Sequence, residues 1–285
     1  MKVLIFGNSY LQDVLPQVDE LVSALLGGGA TVAIEETFHA WVATMGLRCS
    51  SLPAMPVSRA AEADLLVSLG GDGTLLHTAH ATAALEKPIL GLNAGHLGYL
   101  TAATLARGPQ MVAAVAAGHY RIEQRMMLQV ECDAAQISSP FALNEVAILR
   151  HDTSSVIEME TLLRGEPLTT YVGDGLVVST PTGSTAYNMS AGGPILEPTT
   201  SCMVLSPVSP HALTMRPLVV RDDSRVTITT RSRASHFMLS LDGSSLVCPA
   251  GATVTVFAAP YRAHIVLPPD ANFAATLRQK LLWGK

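Results

Sequence analysis

The chain has 285 residues, 48% hydrophobic and 14% charged, which supplies a core for one large domain or two ordinary ones and excludes a disordered protein. Its 18 basic and 23 acidic residues leave a net charge of −5, which excludes a nucleic-acid binder acting through a general basic field. Four scattered cysteines without a C-x-x-C pair, too short an opening apolar run for a signal peptide, and no stretch near the roughly 18 apolar residues of a membrane helix point to a cytoplasmic protein without a membrane partner.

VLIF (3–6) reads as a short buried strand ending at Gly7. In PQVDELVSALLGGG (16–29), Val18, Leu21, Val22, Leu25 and Leu26 form one helical stripe, with Pro16 in the first turn and Gly27–Gly29 at the end. TVAI (31–34) and ADLLVSLGG (63–71) are further strands, TLLHTAHATAAL (74–85) a helix and KPILGLN (87–93) a strand. This alternation predicts an α/β N-terminal domain with a Rossmann-like parallel sheet over residues 1–120, whose ligands sit beyond the carboxyl ends of the strands. From about residue 121 the texture turns to β. VIEMETLL (156–163), RVTITT (225–230), HFMLSL (236–241), TVTVF (253–257) and AHIVL (263–267) read as strands, and LDGS (241–244) as a hairpin turn. An all-β domain over 121–267 is therefore expected. The tail 268–285 returns to helix, with Asp270 as its expected N-cap and Phe273, Leu277 and Leu281 on one stripe that packs back on the first domain.

Chemistry concentrates first in SLGGDGTLLHTA (68–79). Taken alone, this turn supports two readings. One is a tight strand-to-helix connection in which Asp72 caps the helix. The other is a phosphate cradle of glycine N–H groups backed by the positive end of the helix dipole. A carboxylate inside a cradle repels phosphate, so Asp72 then needs another task, as general base toward a hydroxyl or as ligand to a divalent cation. None of the four lysines lies beside the glycines, so phosphate must be held there by backbone, arginine or metal. Neither G-x-x-x-x-G-K-[ST] nor G-x-G-x-x-G occurs, which disfavours a Walker-type ATPase and a dehydrogenase.

Further blocks follow. LNAGHLGYLT (92–101) is a second glycine-rich turn after a strand, and LNEV (143–146) sets an amide beside a carboxylate. GDGLVVSTPTGSTAYNMSAGGPIL (173–196) is too irregular for a simple strand and suits hydrogen bonding to ribose and base edges. In order, Gly70–Thr74, Asn93–Leu100, Asn144–Glu145, Asp174–Gly175, Thr180–Pro194 and Pro210–Pro217 resemble the motif succession of the NAD kinase family. GGDGT alone is shared with diacylglycerol-type lipid kinases and 6-phosphofructokinases; the whole succession carries the resemblance.

The resemblance implies transfer of the ATP γ-phosphate to the 2′-hydroxyl of the adenosine ribose of NAD, with a divalent cation, Mg²⁺ foremost, bridging the ATP phosphates with few direct protein ligands, none of them assigned to a residue. It implies Asp72 as general base, Gly73 as a backbone phosphate contact and His77 as a pyrophosphate contact. It also implies Asn144, Glu145 and Asp174 as NAD contacts, Thr185, Ala186, Tyr187, Asn188, Met189 and Ser190 as the segment wrapping the dinucleotide, and a homo-oligomer, dimer or tetramer. The chain departs from the family pattern at Ser155, Val172 and Ser244, positions that bear on NAD affinity and on choice between NAD and NADH. A lipid or sugar kinase sharing the turn explains neither Asn144–Glu145 nor Thr180–Pro194, and a dinucleotide-sensing module has no use for Asp72. His77 and His80, three apart, lack a third ligand for a metal, and His211 reads as structural.

Overall fold

In the computed structural model, which describes residues 1–46, 48–95, 98–152 and 156–284, the apolar runs of the first hundred residues become strands buried on both faces. Strands β1 (Lys2–Phe6), β2 (Thr31–Glu35), β3 (Ala54–Met55), β4 (Leu65–Leu69) and β5 (Pro88–Asn93) are parallel, in the order β3-β2-β1-β4-β5. The two-residue strand β6 (Ala103–Thr104) pairs with β5. Helix α1 (Leu15–Gly27) buries Val18, Leu21, Val22 and Leu25 in the core of this unit. Leu26, expected on the same stripe, is 48% exposed because at the last turn it swings past the edge of the buried face. Helices α2 (Glu36–Val42), α3 (Asp72–Ala81) and α4 (Gly108–Ala116) complete the crossovers. Helix α3 starts two residues earlier than its apolar pattern suggests and gives way to a 3₁₀ turn at Ala83–Leu85.

Residues Met1–Gln124 with Ala263–Lys285 form one compact unit, and Arg125–Arg262 form the other. Strand β7 (Arg121–Cys132) leads into the second unit, where β8 (Phe141–Ala142) pairs with it. One antiparallel sheet there contains β9 (Glu145–Arg150), β12 (Gly175–Ser179), β13 (Cys202–Val208), β14 (Leu218–Arg221), β16 (His236–Leu241) and β17 (Ser244–Pro249), in the order β14-β13-β12-β9-β16-β17. The other runs β11-β10-β15, with β10 (Ile157–Leu163), β11 (Glu166–Gly173) and β15 (Arg225–Ser232), and then the first residues of β18 (Thr253–Leu267). Val146, Ile148, Leu176, Val178 and Phe237 from the first sheet meet Ile157, Met159, Val226, Ile228 and Val254 from the second in one core.

The expected fold, an α/β first half, an all-β second half and a C-terminal helix, is the observed one. The differences are local. The two runs expected over 253–257 and 263–267 are one strand, β18, which continues through Pro260. The segment from 173, expected to be too irregular for a simple strand, begins with β12, whose apolar run lacks alternation because it is buried on both faces. Helix α6 (Phe273–Lys280), the next after the single turn α5 (Tyr187–Ser190) of the second unit, is capped by Asn272, whose Oδ1 accepts from Ala275 N at 2.8 Å, and not by Asp270. It belongs to the first unit, as expected, with Lys280 Nζ donating to the carbonyls of Tyr99 and Thr101 at 3.1 Å each. Among the described residues no helix is long and apolar enough to cross a membrane.

Phe237 is fully enclosed between the two sheets, so Phe237→Ala is expected to lower stability by about 3–5 kcal/mol, read from denaturant unfolding.

Candidate active site

At the end of β4, Gly70 has φ +148°, and a Cβ on it would run into the Thr74 side chain; only glycine makes this turn. The backbone of Gly71 then starts α3, so the N-cap is Gly71 and Asp72 is the first helical residue. The Asp72 carboxylate turns away from its own helix. Its Oδ2 accepts from Tyr99 N at 2.7 Å and its Oδ1 from Leu100 N at 3.0 Å. A side chain at Gly98 would occupy the place of that carboxylate. The acid of the first glycine-rich turn thus holds the described part of the second one; His96 and Leu97 of that turn lie outside the described residues.

The other wall of α3 opens on a cavity of about 450 Å³, lined from this side by Gly73, Thr74 and His77. Gly7, Asn8 and Ser9 after β1 and Glu35, Phe38 and Trp41 around the end of β2 line the remainder. The cavity therefore sits where a parallel sheet ordinarily holds its ligand, beyond the carboxyl ends of the strands. Asn8 Nδ2 donates to Thr74 Oγ1 at 2.8 Å and ties the β1 turn to α3.

In the second unit the polar group gathers around the start of β9. Asp242, in the left-handed hairpin turn between β16 and β17, accepts three successive N–H groups with its carboxylate: Leu143 at 2.6 Å, Asn144 at 2.9 Å and Glu145 at 2.8 Å. From the other side, Thr180 N donates to the Asn144 carbonyl at 2.8 Å, and a Cβ on Gly183 would collide with that carbonyl. The backbone of Asn144–Glu145 is clamped, yet Asn144 Oδ1 and Glu145 Oε2 are buried without a hydrogen-bond partner among the described residues. Burial pushes the Glu145 carboxyl from its ordinary 4.5 up to about 7; the Asp242 charge adds to the rise and a bond from Tyr187 N–H opposes it. The Tyr187 phenol is raised as well, by burial and then by the charges of Asp174 and Glu145. Asp174 is half-buried and pairs with Arg150 Nε at 2.9 Å.

Asn144, Glu145, Asp174 and Tyr187, which the resemblance implies as NAD contacts, lie together in the second unit. Thr185 and Ala186 are half-buried, whereas Met189 and Ser190 are exposed. Asn188 is different: it is fully buried, its Nδ2 donates to the Ser184 and Pro194 carbonyls at 3.0 Å each and its Oδ1 accepts from Ser206 Oγ at 2.7 Å. It holds the segment's shape from inside. Val172 lies in β11, where its carbonyl accepts from the His211 backbone N–H; Ser244 opens β17 and is exposed; Ser155 lies outside the described residues. No group of three or more His, Cys, Asp or Glu among the described residues could hold a metal ion, so His77 and His80 gain no third ligand. Motif spacing missed Asp242, Arg150, Asn8 and Glu35. The Asp-Gly of the hairpin signalled only a turn, and an acid closing the second strand after a glycine turn on the first was the overlooked cue.

Glycine-rich turns and a cavity at the ends of a parallel sheet, with buried unpaired acceptors in a second, β unit, define a nucleotide-handling protein. The ATP-NAD kinase N-terminal domain family matches residues 4–120 and the ATP-NAD kinase C-terminal domain family residues 143–267. The chain belongs to the ATP-NAD kinase family. An NAD kinase of Bacteroides fragilis is 38% identical over 286 residues, covering 100% of this chain and 98% of the relative. The yeast NADH kinase in complex with NADH shares the fold at a TM-score of 0.90 and 23% identity, over 100% of this chain and 88% of that one. The Archaeoglobus fulgidus NAD kinase in complex with ATP does so at 0.74 and 24%, over 98% and 99%.

The raised Glu145 carboxyl has a consequence for stability. Between its ordinary 4.5 and about 7 the folded protein keeps a proton that the unfolded chain releases, so this group's contribution is full below 4.5 and falls as pH rises through 7, by about 3 kcal/mol at most. Glu145→Gln removes the titration. Its melting temperature relative to wild type is expected to climb from about pH 5 to pH 8; a constant difference across that range would contradict the assignment.

Proposed function

We propose that this chain carries out the reaction of its family as follows. It transfers the γ-phosphoryl group of ATP to the 2′-hydroxyl of the adenosine ribose of NAD, giving NADP and ADP. The observation that carries the assignment of residues is the pair of buried acceptors, Asn144 Oδ1 and Glu145 Oε2, left without donors on a clamped backbone. Acceptors so placed suit the amino group of a base and the hydroxyls of a ribose, and they make the site selective, since a ligand lacking those donors leaves them unpaired. Asp174, Thr185, Ala186, Tyr187, Met189 and Ser190 are assigned to the rest of the dinucleotide. Asn188 is assigned to positioning that segment, in keeping with its enclosed amide.

Asp72 is assigned as the general base. A carboxylate offers about four acceptor sites, of which two are taken by the Tyr99 and Leu100 N–H groups, so about two remain, one of them for the 2′-hydroxyl proton, while those two bonds fix its direction. The ribose oxygen then bonds to γ-phosphorus as the bond to ADP breaks. Phosphoryl transfer asks mainly for positioning and charge stabilisation, which Gly73 N–H at the start of α3 and the exposed His77 are suited to provide. Among the described residues no group of His, Cys, Asp or Glu would cage a cation, and Mg²⁺ held by the ATP phosphates would supply charge neutralisation there. Family analogy supports a cytoplasmic homo-oligomer.

Purified protein with ATP, Mg²⁺ and NAD is expected to form NADP. Asp72→Asn is expected to lower kcat by about 10²-fold or more while NAD binding, measured by calorimetry, stays within about threefold. Equal rates would remove the base assignment, and no NADP from the wild type would remove the function. The KM for NAD is expected to rise as pH falls below about 7, because protonated Glu145 loses acceptor capacity, and this rise should vanish in Glu145→Gln.

A further inference from the structure

The turn that Asp72 holds is gripped from its other side by the C-terminal helix. Asp72 accepts from the N–H groups of Tyr99 and Leu100, at 2.7 and 3.0 Å. Lys280 Nζ donates to the carbonyls of Tyr99 and Thr101, at 3.1 Å each. The Tyr99 carbonyl and the Leu100 N–H belong to one peptide group. That group therefore lies between an ammonium on its oxygen and a carboxylate on its nitrogen. Its dipole is aligned with both charges, and each bond polarises the peptide in the sense that strengthens the other. The ammonium also lies 5.9 Å from the centroid of the Tyr99 ring. Leu100 and Thr101 are buried, where such interactions are screened least.

Residues 98–101 belong to no helix or strand, so Asp72 keeps its direction only as far as this turn keeps its own. Lys280 is the last residue of α6, on the same face as Phe273 two turns before it. A basic residue there ordinarily answers the carbonyls of its own helix end. This one instead reaches a carbonyl 181 residues away in sequence. We propose that Lys280 is a positioning residue for the phosphoryl transfer: through the Tyr99–Leu100 peptide it fixes the direction in which the Asp72 carboxylate meets the 2′-hydroxyl proton. The proposal rests on the assignment of Asp72 as general base. It gives the C-terminal helix a part in the reaction, because a shift of about 1 Å in a catalytic group can cost about 10²-fold in rate. The competing reading, in which Lys280 only fastens α6 to the first unit, makes its effect independent of Asp72.

Lys280→Met keeps most of the apolar stem and removes the charge. It is expected to lower kcat by about tenfold while the KM values for ATP and NAD move less than about twofold. Lys280→Arg should recover most of the rate, since it restores a cation with donors. Arg278→Met, an exposed change on the same helix, should leave kcat within about twofold. Added to Asp72→Asn, Lys280→Met should cost less than about twofold further, because the group it positions is already gone. A role confined to fastening α6 would cost the same factor in both backgrounds. In the free protein, amide exchange of the segment 98–102, read by mass spectrometry, should quicken by about tenfold in Lys280→Met. Should that variant melt below the assay temperature, Lys280→Gln, which keeps a neutral donor, takes its place in the same comparison. Wild-type kcat in the Lys280 variant, equal losses in both backgrounds, or unquickened exchange overturns the proposal and leaves Asp72 as base. An unimpaired Asp72→Asn removes the base assignment and this proposal with it.

Discussion

Backbone N–H groups released at the ends of strands need acceptors, and in this chain buried or half-buried carboxylates supply them. Glu35 takes the first amides of α2, Asp72 takes Tyr99 and Leu100, and Asp242 takes Leu143, Asn144 and Glu145. Each carboxylate fastens a polar turn without a second strand or a disulfide. The glycines belong to the same device. Gly98 leaves room for Asp72, and Gly183 leaves room for the Asn144 carbonyl, so the acids reach backbone that a side chain would shield. Bonds from N–H to an ionised acceptor are short and about twice as strong as neutral ones. Rigid turns built this way can hold ligand-facing atoms in place before any ligand arrives.

That rigidity makes an unusual group possible. Glu145 sits beside Asp242 in a buried place, which raises its carboxyl to about 7, and its Oε2 lacks a partner. A buried unpaired acceptor costs about 1–3 kcal/mol, a cost that a ligand donor relieves. Asp242 fixes the backbone from which the Asn144 and Glu145 side chains project. On the proposed assignment of Asn144 and Glu145, selectivity for a donor-bearing ligand would come from the hairpin turn as much as from those two residues.

The parallel unit was legible because strands buried on both faces are written as unbroken apolar runs, and amphipathic helices as stripes: β1, β2, β4, β5 and α1 lie within a residue or two of their expected places. The hairpin at Asp242–Gly243 was legible because both residues need positive φ, which Asp-Gly tolerates. β12 was not, because it is a central strand with punctuated flanks and no alternation. The cap of α6 was misread by two residues, since Asp and Asn serve equally and only the bond to Ala275 decides between them.

By itself, the order of residues determined the α/β and β halves and the resemblance to a kinase family, because periodicity, glycine turns and motif succession are local properties of the chain. Only the tertiary structure decided which way each acid points. Asp72 faces the turn at Tyr99–Leu100 rather than its own helix, Asn188 faces inward, Glu35 becomes a cavity wall, and Asp242 reaches a strand about a hundred residues away. Those outcomes depend on which distant amide lies within about 3 Å of a side chain once the sheets have formed, and sequence spacing carries no such distance.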